Sequence, residues 1–242
     1  MMLALVISAA VFGAAVLRGL TGFGFALAAV PAMSFVVSPA RAVCIAIVLQ
    51  CLVGLRDVVT MRALLDRKAL GLLSIGALLG TPLGILALTQ LSADAMRVVL
   101  ALVVGAGLIA LIARVELAPG RGPALGAGVL SGLFSGLAAM PGPPAIAYFL
   151  GRAAPAVTTR ASLMVFFFLT SLMALHGLIL ADRLDTDTTL LAASAFPALL
   201  LGTWVGGRAF ARMGEGTYRT AAIALLALTA VATGLKGVAA FI

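Results

Sequence analysis

Long stretches of this chain carry no charged side chain. Residues 19–40, 69–93, 122–151, 161–181 and 188–207 are each free of Asp, Glu, Lys and Arg, and each reaches the ~20 residues needed to cross ~30 Å of hydrocarbon at ~1.5 Å per helical residue. The connectors between them are short and polar, and none has the length of a soluble domain. Only 10% of the 242 residues are charged and 63% are hydrophobic, against ~25% charged in an ordinary soluble domain. A water-facing globule of this size has too little interior to hide that much apolar surface. The chain therefore reads as an all-α polytopic membrane protein, with the lipid bilayer as its first partner.

The net charge is +8, a balance that in a soluble protein suggests nucleic acid. Here Arg and Lys cluster in the connectors, where they orient the chain in the bilayer, so no nucleic-acid partner is expected. The N-terminal stretch MMLALVISAAVFGAAVLRG lacks the basic start of a secretory signal and reads as part of the fold. Cys44 and Cys51 stand seven residues apart on one expected helix, ~10 Å along its axis, too far for a disulfide. They read as apolar filling.

The runs and connectors suggest a first element, A, made of segments 2–17 and 19–37. Segments B (41–60), C (69–90) and D (94–113) follow, then a second long element, E (122–150), and F (160–181), G (187–207) and H (217–240). The positive-inside rule decides how often A and E cross. If each crosses once, Arg56, Arg62, Arg67, Lys68, Arg114, Arg121, Arg183 and Lys236 face Arg41, Arg97, Arg152, Arg160, Arg208, Arg212 and Arg219, eight against seven. If each returns to the side it entered from, Arg56, Arg62, Arg67, Lys68, Arg114, Arg121, Arg152, Arg160, Arg208, Arg212 and Arg219 oppose Arg41, Arg97, Arg183 and Lys236, eleven against four. The second arrangement has the expected bias. A and E are thus expected to be re-entrant or hairpin elements, with both termini outside and the basic connectors in the cytoplasm.

The chain also repeats itself. Val16–Gly22 lines up with Val129–Ser135 at an offset of 113, which also sets Pro31 on Pro144; at an offset of 122, Leu79–Gly84 matches Leu201–Gly206 and Arg97 matches Arg219. Matches in the same order indicate duplication. With three crossings per half the halves, 1–116 and 122–242, must be inverted within a single membrane domain. Each is expected to hold one broken element plus three transmembrane helices, about eight membrane elements together. That is the architecture of secondary transporters, whose substrate sites lie near the midplane where the breaks meet.

Two breaks stand out. Arg18-Gly19-Leu20-Thr21-Gly22-Phe23-Gly24-Phe25 interrupts A with three glycines, and Met140-Pro141-Gly142-Pro143-Pro144 interrupts E with three prolines that remove amide donors and cannot continue a helix. Open backbone at that depth is tolerated where it is buried in protein or lines a cavity; the competing reading is a kink for close helix packing. A helix restarting after a break presents free amides and its positive dipole end, which favours an anion. The expected substrate site comprises Gly19, Thr21, Gly22, Phe23, Gly24, Ser131, Ser135, Gly142 and Pro143. The hydroxyls would serve as donors and the glycines would admit the ligand to the backbone. Arg18 either faces this cavity or snorkels to an interface. Arg41 and Arg160, just before B and F, are cavity cations or interfacial anchors, and mid-span Gln50 and Thr170-Ser171 line the path or bond a neighbouring helix.

His176 lies ~24 Å along its helix from Arg160 and reads as packed or interfacial rather than as a proton relay. No carboxylate falls centrally in a span, Asp57 being the deepest, so no metal, cofactor or catalytic group is expected.

The glycine-rich Gly19–Gly24 break followed by Pro31, the Gly80-Thr81-Pro82-Leu83-Gly84 motif and the Gly128–Gly136 run into the proline-rich break together resemble the TauE/SafE sulfite exporter family across essentially the whole chain. The second break departs from the resemblance in reading Pro-Gly-Pro-Pro where a glycine-rich run is expected. The resemblance implies a small inner-membrane or plasma-membrane exporter of sulfite, of sulfonates such as sulfoacetate, or of other small organic anions. The chain is further expected to act without a cofactor, as a monomer or homodimer. A channel, an importer of a small carboxylate, an intramembrane enzyme and a non-transporting assembly subunit are the competing functions.

Overall fold

The computed structural model describes residues 2–113, 115–152 and 154–212; expected segment H, with Arg219 and Lys236, lies outside them. Among the described residues the chain is entirely helical. The helices are α1 (Met2–Thr21), α2 (Phe25–Met33), α3 (Pro39–Met61), α4 (Arg67–Gln90), α5 (Ala93–Ile112), α6 (Arg121–Ala138), α7 (Gly142–Leu150), α8 (Ala156–Leu180) and α9 (Thr186–Ala211). Helices α1, α3, α4, α8 and α9 are each long and apolar enough to cross a membrane.

Helix starts follow the polar punctuation of the sequence. Ser38 caps α3 and accepts from the Arg41 amide, with Pro39 in the first turn where a missing N–H costs nothing. Asp66 caps α4 through the Ala69 amide at 3.1 Å, and Asp185 caps α9 through the Thr188 amide at 2.6 Å.

Element A breaks later than expected, because Arg18 and Gly19 remain helical and the turn falls at Gly22–Gly24, after which α2 is only 9 residues long. Element E divides at Ala139–Pro141 into α6 and α7. Its prolines do not continue α6, as expected, and Pro143 and Pro144 instead stand in the first turn of a new helix, where amides have no intrahelical acceptor to lose.

Contacts between distant residues fix which end of each helix shares a level. Arg18 pairs with Asp57 near the end of α3, while Gly19 packs on Thr203 and Gly206 near the end of α9. The chain from Arg18 to Pro39 therefore returns along the length of α3, and A is a hairpin. Gly120, before α6, accepts a hydrogen bond from the Tyr148 hydroxyl near the end of α7, so E is a hairpin opened from the opposite end. Arg152, just past α7, pairs with Asp66 at 2.7 Å, and the Asp66 amide donates to Ser162 Oγ in the second turn of α8. One end of the bundle thus gathers Arg56, Arg62, Arg67, Lys68, Arg121, Arg152, Arg160, Arg208 and Arg212; the other carries Arg41, Arg97 and Arg183.

Two tight helix pairs hold the bundle. Gly76, Gly80 and Gly84 of α4 lie against Gly128, Gly132 and Gly136 of α6, so close that a Cβ on Gly80 would sit 1.9 Å from the Val129 carbonyl oxygen. Gly202 and Gly206 of α9 lie in the same manner against Phe12, Val16 and Leu20 of α1. Lipid tails provide no hydrophobic drive between helices, so close backbone approach has to supply the attraction. The register of these contacts differs from the sequence match. Gly76 meets Leu125 and Val129 as Gly202 meets Phe12 and Val16, an offset of 126 between α4 and α9, one helical turn beyond the 122 of the motif alignment. Likewise, Pro31 sits near the end of α2 and Pro144 at the start of α7, so the proline match does not bring equivalent positions together.

Candidate functional site

The first break is built by a threonine and two left-handed glycines. Thr21 Oγ1 lies 2.8 Å from the Leu17 carbonyl and 2.7 Å from the Phe23 carbonyl, and accepts from the Phe23 amide at 3.2 Å. The hydroxyl thereby substitutes for the backbone partners the turn removes. Gly22 and Gly24 have φ of 82° and 88°, in the region where a Cβ collides with its own carbonyl. Gly22 is also pinned from outside, since a Cβ there would lie 2.6 Å from Arg160 Cγ. Arg160 donates through Nη2 to the Gly19 carbonyl and lays its guanidinium 4.4 Å from the centre of the Phe210 ring. Phe23 is buried beneath the turn.

The second break turns on Ala139, held in the left-handed region at φ 59°, with its amide folded back on Ser135 at 2.9 Å and that of Met140 on Phe134 at 3.1 Å. Gln50, halfway along α3, donates from Nε2 to the Ala139 carbonyl at 3.3 Å. A Cβ on Gly142, the first residue of α7, would meet Phe167 Cζ of α8 at 3.8 Å and Leu27 Cδ1 of α2 at 3.9 Å. The first turns of the two short helices therefore approach each other in the interior. Each has amide positions without intrahelical acceptors, although α7 lacks the N–H at three of its four, Pro141, Pro143 and Pro144.

Measured against the expected site, the hairpin tips bring together Thr21, Gly22, Phe23, Gly24 and Arg160 at one break, and Gln50, Gly142 and Pro143 at the other. Gly19 has a packing environment instead: a Cβ there would lie 2.4 Å from the Thr203 carbonyl oxygen, which is the close-packing reading of that glycine. Ser131 and Ser135 are fully buried on α6, and their hydroxyls have no hydrogen-bond partner among the described residues. Arg41 stands apart. It donates from Nε to Thr188 Oγ1 at 3.1 Å at the far end of α3, 16 positions or ~24 Å from Asp57. His176 is exposed, and Thr170 Oγ1 bonds the Phe167 carbonyl within its own helix.

Three participants escape a reading of the sequence. Asp57, which looks like an end-of-span charge beside Arg56, is buried and ion-paired with Arg18 through Arg18 Nη2 and Asp57 Oδ2. Two unlike charges 39 residues apart, each bordering an apolar run, were the available signal, but nothing local says that their helices end at the same level. Leu27 and Phe167 touch the second break as ordinary apolar residues and carry no signal at all.

The probable sulfite/organosulfonate exporter TauE of Cupriavidus necator is 31% identical over 169 residues, 67% of this chain and 66% of that relative, so the match spans just under two thirds of the relative's length. No solved structure matches. The sulfite exporter TauE/SafE family model matches residues 7–233, and with its five long apolar helices this multi-pass integral membrane protein belongs to the TauE/SafE family, a family of transporters.

Proposed function

We propose that the protein is a secondary transporter that exports a small anion, sulfite or a sulfonate such as sulfoacetate or a related organic anion, across the bacterial inner membrane by alternating access. Two inverted repeats, 1–116 and 122–242, would each contribute a hairpin and three crossings, making about eight membrane elements in a monomer or homodimer. The recurrence of backbone contacts at offsets of 113 between α1 and α6 and 126 between α4 and α9 supports the duplication. The observation that carries the reading is the approach of α2 and α7 by their first turns at Leu27 and Gly142. Two positive helix ends converge there on one interior region, which favours an anion over a cation.

In this reading Thr21, Gly22, Phe23 and Gly24 shape one wall and Gln50, Gly142 and Pro143 the other. Ser131 and Ser135 offer buried hydroxyls, Arg18 and Arg160 supply positive charge at the basic end, and Gly19 and Arg41 act at a distance by packing and at the opposite mouth. No cofactor takes part. Purified protein in liposomes loaded with sulfite or sulfoacetate should show saturable counterflow of the labelled anion. Flux that rises linearly with concentration and shows no counterflow would favour a channel instead. Ser131→Ala and Ser135→Ala should each weaken affinity by ~1 kcal/mol, about fivefold, with melting temperature unchanged; unchanged affinity in both removes these hydroxyls from the site.

A further inference from the structure

Arg18 and Asp57 form an ion pair of unusual depth for this molecule. Their side chains are 4% and 5% exposed, against 26% and 17% for Arg152 and Asp66, and 52% and 91% for Arg97 and Asp94. The pair is also incomplete. Asp57 engages Nη2, while Nη1 of the same guanidinium is shielded from solvent and has no acceptor among the described residues. A guanidinium presents a planar fork of donors that matches two oxygens of one oxyanion, and a buried charged donor left unmatched is costly. Arg18 is well placed to meet a ligand, since its carbonyl accepts the Gly22 amide at 2.8 Å and it stands one turn before the left-handed break that starts α2. Asp57 is one turn from the end of α3 at Met61, so a released carboxylate is close to the basic end of the bundle.

We propose that Arg18 is the oxyanion-binding cation of the first hairpin and that Asp57 is its resident counter-ion, a built-in competitor displaced by a sulfite, sulfonate or carboxylate group taken in two-oxygen fashion on the fork. The assignment rests on the anion-transport reading above. It gives the pair a task in the cycle. The empty protein holds Arg18 neutralised by Asp57, so it need not expose a bare buried cation. The loaded protein holds Arg18 neutralised by the substrate, and the return of Asp57 helps expel it. A purely structural ion pair would have no such exchange, and removing either partner would leave an uncompensated buried charge whatever the ligand.

The test uses the full chain in liposomes and detergent, with sulfite and sulfoacetate as probes, reading affinity by titration, exchange by labelled flux and folding by melting temperature. Asp57→Asn should bind both probes about tenfold more tightly and exchange them more slowly, because the competitor is gone. Arg18→Lys, which keeps the charge and loses the fork, should bind roughly tenfold more weakly. The neutral pair Arg18→Gln with Asp57→Asn should melt near the wild-type temperature and bind neither probe. If Asp57→Asn fails to fold, the neutral pair decides alone. Asp57→Asn that folds and binds no more tightly than wild type, or a folded neutral pair that binds like wild type, overturns the assignment while leaving anion transport intact. A wild-type protein that neither binds nor moves either probe overturns the transport reading itself.

Discussion

Gly22 and Gly24 share nearly the same positive φ, yet their surroundings differ, and that difference is measurable. Among the described residues, a Cβ on Gly24 would have only Thr21 Oγ1 near it, at 4.0 Å, whereas one on Gly22 would strike Arg160 at 2.6 Å. Gly24→Ala should therefore lower stability by about 1–2 kcal/mol, the cost of the conformation alone. Gly22→Ala adds overpacking of about 1–3 kcal/mol, because the colliding atom belongs to a side chain anchored on Gly19. Denaturation midpoints of the two variants should fall in that order; equal midpoints would mean that Arg160 swings away freely. The sequence shows that this break is glycine-rich, but it cannot rank the glycines. Gly19, Gly22 and Gly24 look alike in one dimension and serve packing, turn-and-packing, and turn respectively.

At the scale of elements, the paired glycine stripes make a sharper statement than helix propensity does. Gly80 meets backbone on α6, while Gly71 on α4 and Gly126 on α6 have nothing among the described residues within 4 Å of a Cβ. Gly71→Ala and Gly126→Ala should raise stability by up to ~1 kcal/mol through helix propensity. Gly80→Ala should lower it by about 1–3 kcal/mol by wedging α4 from α6, and melting temperatures of the three variants provide the comparison. A different test applies where α9 begins. Hydrogen bonds from the Thr188 side chain and then its backbone amide hold the Asp185 carboxyl below its ordinary pKa. Its folded value being depressed, its contribution is present above the unfolded carboxylate pKa and is lost as pH falls through the folded one. The melting-temperature advantage of wild type over Asp185→Asn should accordingly be flat near neutrality and shrink on acidification below the ordinary carboxylate range.

For the whole molecule, the segregation of basic residues fixes the expected orientation. The end carrying Asp66, Arg152 and Arg208 should face the cytoplasm, and the end carrying Arg41, Asp94 and Arg183 the outside. With Cys44 and Cys51 replaced, a single cysteine at position 66 should react with an impermeant reagent only in inverted membranes, and one at position 94 only in intact cells. Labelling of position 66 from outside would reverse the orientation and with it the direction assigned to each hairpin mouth. Both natural cysteines are buried and unpaired, so their removal calls for small apolar replacements that keep the packing of α3.

By itself the sequence determined the properties that depend on local composition. Charge-free runs of membrane length require helices, because only a helix satisfies its own backbone in lipid. The asymmetry of Arg and Lys over the connectors already called for re-entrant or hairpin elements at A and E, while the Arg18–Asp57 and Tyr148–Gly120 contacts set the levels of their ends. Glycine and proline clusters located both breaks to within a turn. The tertiary structure alone decided the contacts between segments. Whether Gly19 faces a ligand or α9, whether Arg18 reaches an interface or Asp57, and whether equivalent glycines are 122 or 126 residues apart all depend on helix rotation and level. In saturated apolar runs no 3.6-residue pattern records rotation, and only packing against other helices sets it.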